Sequence, residues 1–283
     1  METIKDLSTG GERPFFGSRG LRLQRVTVTD GESALKECTN IDAIDCTFIG
    51  LYPFWHVNRL YIDHCRFAPE ARAGLWYSSN LIMRDTVTES PKMFRDMSHL
   101  DLKNVTMNNA EEAFWRCVDV KAEHLEVNGG MYPFMLSRGV KLDYFKSDCK
   151  YMFQYARDIE IRHADLRTRD AFWESENVTV YDSRISGQYL GWHSVNLHLV
   201  RCHISGTQPL CYCRGLVLED CTFDADADLA FEYSDVRATV LSPITSVKNP
   251  SSGMIRARSI GEVIVDGYAK SPAGCRIITD VPR

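Results

Sequence analysis

The 283-residue chain has no apolar run of the roughly 20 residues that a membrane span takes, so no membrane partner is expected. It has no Lys/Arg-rich run either. Its 33 basic residues are outnumbered by 38 acidic ones, for a formal net charge of −5, and that balance excludes nucleic acid as the expected partner. Met1-Glu2-Thr3-Ile4-Lys5-Asp6-Leu7-Ser8 lacks the apolar core of a secretory leader, which makes the cytoplasm the expected location. Cys211-x-Cys213 has no matching Cys or His pair at zinc-site spacing. Asp224-Ala225-Asp226-Ala227-Asp228 lacks the glycine and distal Glu of an EF-hand and reads as a solvated turn. No metal and no cofactor is therefore expected. The Leu-x-x-Leu-x-Leu-x-x-Asn signature of leucine-rich repeats is missing as well.

What the chain does have is a period. Apolar-x-apolar pairs begin at Leu21, Ile41, Leu60, Leu81, Leu100, Val120, Val140, Ile159, Val178, Leu197, Leu216 and Val236, and all eleven steps fall within one residue of 20. Alternation of this kind marks a strand with one buried face. A second inward pair follows in many copies, as at Cys46/Phe48, Cys65/Phe67, Cys202/Ile204 and Cys221/Phe223. A third segment carries an aromatic or other apolar residue: Phe54, Trp76, Phe94, Phe114, Phe134, Phe153, Phe172, Cys211 and Phe231. Three short strands per coil of roughly 20 residues define the expected fold class: all-β, a single-stranded right-handed parallel β-helix of about 12 coils.

The expected organisation is one structural domain. Residues 1–20 form an N-terminal cap, 21–241 the β-helix, and 242–283 closing strands and a tail. Asn40, Asn80, Asp119, Gly139, Asp158, Asn177, Asn196, Gly215 and Asp235 precede first strands, where a tight corner needs residues that tolerate left-handed backbone. Cys46 and Cys65 share one inward column, as do Cys202 and Cys221, so they are expected as reduced, buried small apolar residues.

Several motifs together resemble a bacterial family filed as domain of unknown function thirty-seven thirty-seven. They are Gly-Glu-Ser-x-Leu-Lys at 31–36, Tyr-Pro-x-Trp at 52–55, Lys-x-Phe-Arg at 92–95, Asp-Ala-Phe-Trp at 170–173, Gln-Pro-Leu-Cys-Tyr at 208–212 and Phe-Glu-Tyr-Ser at 231–234. The resemblance covers nearly the whole chain and implies a pectate-lyase-like β-helix of cytoplasmic type. It implies no reaction and no catalytic residues.

The residue after each inward aromatic should face outward. That column reads Lys36, Trp55, Tyr77, Arg95, Trp115, Met135, Gln154, Trp173, Trp192, Tyr212 and Glu232, and it takes four of the five tryptophans. An exposed apolar ladder of this kind marks a contact site. Arg95, Trp115, Trp173, Trp192, Tyr212 and Glu232 are the candidate ligand-binding residues. Lys92, Glu112 and Asp170 share a column two residues before the inward aromatic and are the candidate catalytic groups. Lys92 and Glu112 lie in adjacent coils and can pair. Glu112 and Asp170 are three coils apart, about 14 Å, too far for a glycosidase pair at roughly 5–9.5 Å. Glu174, His193 and Cys213 stand one coil apart each and offer a carboxylate–base–thiol row.

Two functions fit these residues. One is a carbohydrate- or small-molecule-processing protein, a hydrolase or lyase on a sugar-like substrate if it is an enzyme, with the ligand on the ladder. The other is a non-catalytic binding scaffold that uses the ladder as a homo-oligomer interface.

Overall fold

The computed structural model describes residues 1–271 and 274–280, and every regular element among them is a β-strand. No helix in them is long and apolar enough to cross a membrane. The chain is a parallel β-helix of about 15 turns, more than the 12 counted from the period. It forms two compact units, Met1–Asp143 and Tyr144–Arg283.

In the first unit the register follows the apolar period: Leu21 faces Ile41, Ile41 faces Leu60, Leu60 faces Leu81, Leu81 faces Leu100, and Leu100 faces Val120. Each of these side chains is buried. Inside, the rings of Phe94, Phe114 and Phe134 stack at 4.5 Å per step. Residues 1–20 are a further coil and not a cap. Glu2–Lys5 pairs with Arg19–Gln24, and Ser8–Glu12 pairs with Thr27–Glu32. Glu2 faces Leu21, so the terminal coil lacks the apolar mark that reveals the others. Its face is exposed, and a residue that gains no burial there need not be apolar.

In the second unit Ile159 faces Val178, Val178 faces Leu197, Leu199 faces Leu218, and Leu216 faces Val236. The stack then continues through Asp235–Lys248, Ser252–Ile264 and Cys275–Thr279. Val236 faces Gly253, a step of 17, and Gly253 faces Cys275, a step of 22, so a search for steps near 20 loses the last coils. The expected tail, 270–283, lies partly outside the described residues.

The corners are left-handed as expected at Asn40, Asn80, Asp119, Asp158, Asn177 and Asn196, all with φ between 54° and 60°. Side-chain amides link them: Asn80 donates to Asn58, Asn177 to Asp158, and Asn196 to Asn177. The third side of each coil alternates left-handed residues with inward ones and pairs by single bridges such as Trp76–Arg95 and Arg95–Trp115. All ten cysteines are free thiols; Cys46, Cys65, Cys202 and Cys221 are buried.

Candidate functional site

Each third side runs through a fixed order that places the outward column. A left-handed corner comes first, then two residues that enter the core (the second itself left-handed in several coils, as at Phe94, Phe114, Leu210 and Phe231), then the column residue, then a further left-handed residue. In the first unit the column holds Trp55, Trp76, Arg95 and Trp115. Trp55 and Trp76 lie 5.4 Å apart and 5° from parallel. The Arg95 guanidinium sits 4.4 Å from the Trp76 ring and 5.1 Å from the Trp115 ring. Glu112 closes this stack at the corner. Its Oε1 accepts from Lys92 Nζ at 3.1 Å and its Oε2 from Arg95 Nη2 at 2.5 Å. The indole N–H of Trp55 donates to Ala73 O and that of Trp76 to Lys92 O. Lys92, Glu112 and Arg95, expected near one another, therefore form one ion triad in which both carboxylate oxygens are engaged. These two bonds take one lone pair on each oxygen, of the roughly four the carboxylate offers.

In the second unit the column tryptophans Trp173 and Trp192 are continued by Tyr212 and Tyr233, the left-handed residues that follow the column positions of Cys211 and Glu232. Trp173 and Trp192 lie 6.2 Å apart, Trp192 and Tyr212 6.2 Å, and Tyr212 and Tyr233 5.0 Å. His193 stands 4.9 Å from Tyr212. Lys270, from the C-terminal segment, lies over the rings of Tyr212 and Tyr233 at 5.5 and 4.8 Å. Glu174, His193, Tyr212, Arg214, Tyr233 and Lys270 line a groove of about 430 Å³. Glu232 is buried and paired with Lys248 at 2.8 Å, so it closes the column's end and does not face the groove.

Asp170 occupies a left-handed corner with φ 52° and is 3% exposed. Its Oδ2 lies 3.3 Å from Arg169 Nε, and its Oδ1 has no partner. Burial raises the pKa of this carboxyl above the usual carboxylate range, against the pull of Arg169. Trp192 Nε1 is likewise buried without a partner. Glu112 belongs to the first unit and Asp170 to the second, and each has its own surroundings.

Three sequence expectations are corrected here. Leu75, not Trp76, enters the core, so Trp76 takes the column position expected for Tyr77, and all five tryptophans are column residues. The insertion at 68–74 had blurred that register. In the coil at 208–215 Leu210 is fully buried and Cys211 stands in the column position, while Tyr212 is the left-handed residue after it, φ 57°. The same shift dismantles the Glu174–His193–Cys213 row. Glu174 and His193 are exposed, whereas Cys213 is 1% exposed, its sulfur against Gly191 O, with burial pushing its thiol up to about 11. Sequence reasoning missed Arg214, Tyr233 and Lys270. It also missed Asp63, His64 and Asp85, whose ligand atoms lie within 4.8 Å of one another at an exposed corner.

The fold and the lateral aromatic column define a parallel β-helix protein with a ligand-sized groove on its side. The chain belongs to the family described as Protein of unknown function (DUF3737), whose model matches residues 2–278. In structure it is similar to PfbA, a surface adhesin of Streptococcus pneumoniae, with 10% identity, coverage of 92% of this chain and 73% of that chain, and a TM-score of 0.41. It is also similar to the A-module of the mannuronan C-5 epimerase AlgE4 of Azotobacter vinelandii, with 10% identity, 100% and 90% coverage, and a TM-score of 0.39. A third is the tailspike protein of E. coli bacteriophage HK620 in complex with a pentasaccharide, with 10% identity, 92% and 65% coverage, and a TM-score of 0.38. No curated protein matches the sequence.

Proposed function

We propose that the second unit binds an acidic saccharide in the groove beside Trp192, Tyr212 and Tyr233. The observation that carries this reading is the pairing of ring faces with two cations, Arg214 and Lys270, that have no carboxylate partner among the described residues. Flat aromatic faces suit the apolar faces of sugar rings. The groove volume falls in the roughly 300–1,000 Å³ range of small-ligand sites. Lys270 is exposed and rests on two phenol rings, a contact worth about 0.5–1 kcal/mol, and an ion pair to a ligand carboxylate contributes a comparable amount at such a site, about 0.2–1 kcal/mol. A uronate carboxylate can add to the ring contacts, since an ammonium group has three donors. The first unit's column is self-contained by comparison: its cations are spent on Glu112 and on indole faces. The reading includes a cytoplasmic setting, which the ten free thiols support. Disulfides in protein isolated under thiol-blocking conditions would oppose it.

The test is a tryptophan-fluorescence titration with a glucuronate trisaccharide and with its neutral glucose counterpart. The acidic sugar should bind at least about tenfold tighter, and Lys270→Met should remove most of that preference. Equal binding of the two sugars, or none, would reject the acidic-saccharide reading. If sedimentation showed an oligomer that Trp173→Ala dissociates, the column would be an interface between copies of the chain instead.

A further inference from the structure

The groove of the second unit is lined by charge of both signs, and its charges do not meet. Glu174, Arg214 and Lys270 all line it and all are exposed. Elsewhere the fold joins such side chains across adjacent coils, as in Arg116–Asp96 and Arg201–Asp182, each at 2.6 Å. Glu174 has no ion pair among the described residues, and neither have Arg214 and Lys270. The neighbouring coils account for this. Glu174 belongs to a series of left-handed residues, one per coil: Tyr155, Glu174, His193, Tyr212 and Tyr233. Its neighbours in that series carry rings and not the long cations that pair elsewhere. Arg214 bridges to Val195, which faces Glu176. The valine thus stands between Arg214 and the carboxylate of its own row, and Glu176 is taken by Arg157 at 3.3 Å.

Backbone pairing sets the order of these groups along the groove. The Glu174 N–H donates to Trp192 O at 2.9 Å, so Glu174 lies one coil before His193. The Asn196 N–H donates to Arg214 O at 2.8 Å, so Tyr212 and Arg214 lie one coil beyond His193. The Tyr212 N–H donates to Glu232 O at 2.7 Å, which puts Tyr233 one coil further still. Lys270 lies over the last two rings, at 4.8 Å from Tyr233 and 5.5 Å from Tyr212. The carboxylate therefore stands at one end and both cations at the other, two to three coils apart, about 10–14 Å at the strand spacing. That is well beyond ion-pair contact. Between the ends lie the rings of His193 and Tyr212, 4.9 Å apart.

We propose that the groove takes its saccharide in one direction, with a uronate at the Arg214–Lys270 end and a sugar bearing a free amine at the Glu174 end. The proposal rests on the acidic-saccharide reading and narrows the ligand from an acidic to a zwitterionic one. An ammonium group at that end meets a carboxylate that no side chain has claimed. A ligand with uronates at both ends is held at one end only and sets a like charge against Glu174. Acetylation of the amine removes its charge and leaves Glu174 unmatched. Exposed pairs of this kind add little affinity each; what they supply is orientation and the rejection of ligands whose charges run the wrong way.

The experiment titrates the full chain, followed by tryptophan fluorescence at low salt, with a trisaccharide that has glucosamine at one end, glucose in the middle and glucuronate at the other. The comparison ligand is the same trisaccharide with its amine acetylated. The parent should bind the free amine about two- to fivefold tighter, the span of one exposed ion pair. Glu174→Gln should bring that ratio to one while leaving affinity for the acetylated form within about twofold of the parent's. Added salt should shrink the ratio in the parent, since exposed charges are screened. Equal binding of the two forms by the parent, with Lys270→Met weakening both, would overturn the zwitterion and leave the acidic-saccharide reading standing. A preference for the amine that Glu174→Gln retains would likewise overturn it. If neither form binds the parent, or Lys270→Met leaves both unaffected, the acidic-saccharide reading fails and the zwitterion fails with it.

Discussion

Replacing Glu112 with Gln separates a structural tie from a catalytic group. In the parent, Glu112 takes one charge-assisted hydrogen bond from Lys92 and one from Arg95. The three side chains are 32%, 23% and 20% exposed for Lys92, Glu112 and Arg95. A hydrogen bond to a charged group contributes about 1.5–3 kcal/mol when buried, and an exposed ion pair about 0.2–1 kcal/mol. Partial exposure puts this triad between those limits. Lys92 can turn to water, whereas Arg95 is held between two indoles and cannot. Gln keeps one acceptor and turns an amide donor towards a cation. The expected loss is about 1–2 kcal/mol, measured from urea unfolding of parent and variant. At roughly 2–4 °C per kcal/mol that is a fall in Tm of about 2–8 °C. Saccharide affinity in the second unit should stay unchanged. A variant as stable as the parent would show that the triad does not hold the column, and a variant of full stability that lost ligand turnover would restore Glu112 as a catalytic residue.

Three further outcomes follow from the same contacts. Phe114→Ala removes the middle ring of the Phe94–Phe114–Phe134 stack and should cost about 3–5 kcal/mol in chemical unfolding; a cost under about 1 kcal/mol would mean that the stack does not organise the core. Gly187→Ala would place a Cβ 1.5 Å from Thr168 O at φ 140°, so the coil must shift, and soluble yield or Tm should drop sharply, while Gly17→Ala, with open space around it, should cost far less. Asp170 has its folded pKa raised above the unfolded value by burial, so the native state binds more protons across that window. Stability therefore falls as pH rises from about 4 through the folded pKa, and the cost is fully present above it. Asp170→Asn lacks this ionisation, so its urea midpoint should gain on the parent's as pH rises through that window, and parallel curves would refute the assignment.

Much of the fold is legible in the chain because a stacked coil repeats one geometry, and each copy must bury the same few positions. Leu60, Leu100 and Val178 reveal themselves in this way. The first coil is not legible, because its strand is largely exposed and gains little from apolar residues: Glu2 takes the place that Leu21 holds one coil on. At 252–279 the steps of 17 and 22 leave the period altogether. The site was readable only in outline. The tryptophan column shows in the letters, and the Lys92–Glu112 pair follows from coil adjacency. Lys270 does not, since a residue outside the repeat reaches the rings only through the path of the C-terminal segment. Nor does the difference between Trp76 and Trp192. Both are column tryptophans in sequence, and only the acceptor each N–H meets, Lys92 O for one and none for the other, sets them apart.

The most direct test of the central claim is a crystal structure of the full chain grown with the glucuronate trisaccharide. The account predicts a sugar ring against Trp192 and Tyr212, with its carboxylate about 3 Å from Lys270 or Arg214. A trisaccharide bound instead along Trp55, Trp76 and Trp115, or a second-unit column covered by another copy of the chain, would contradict it.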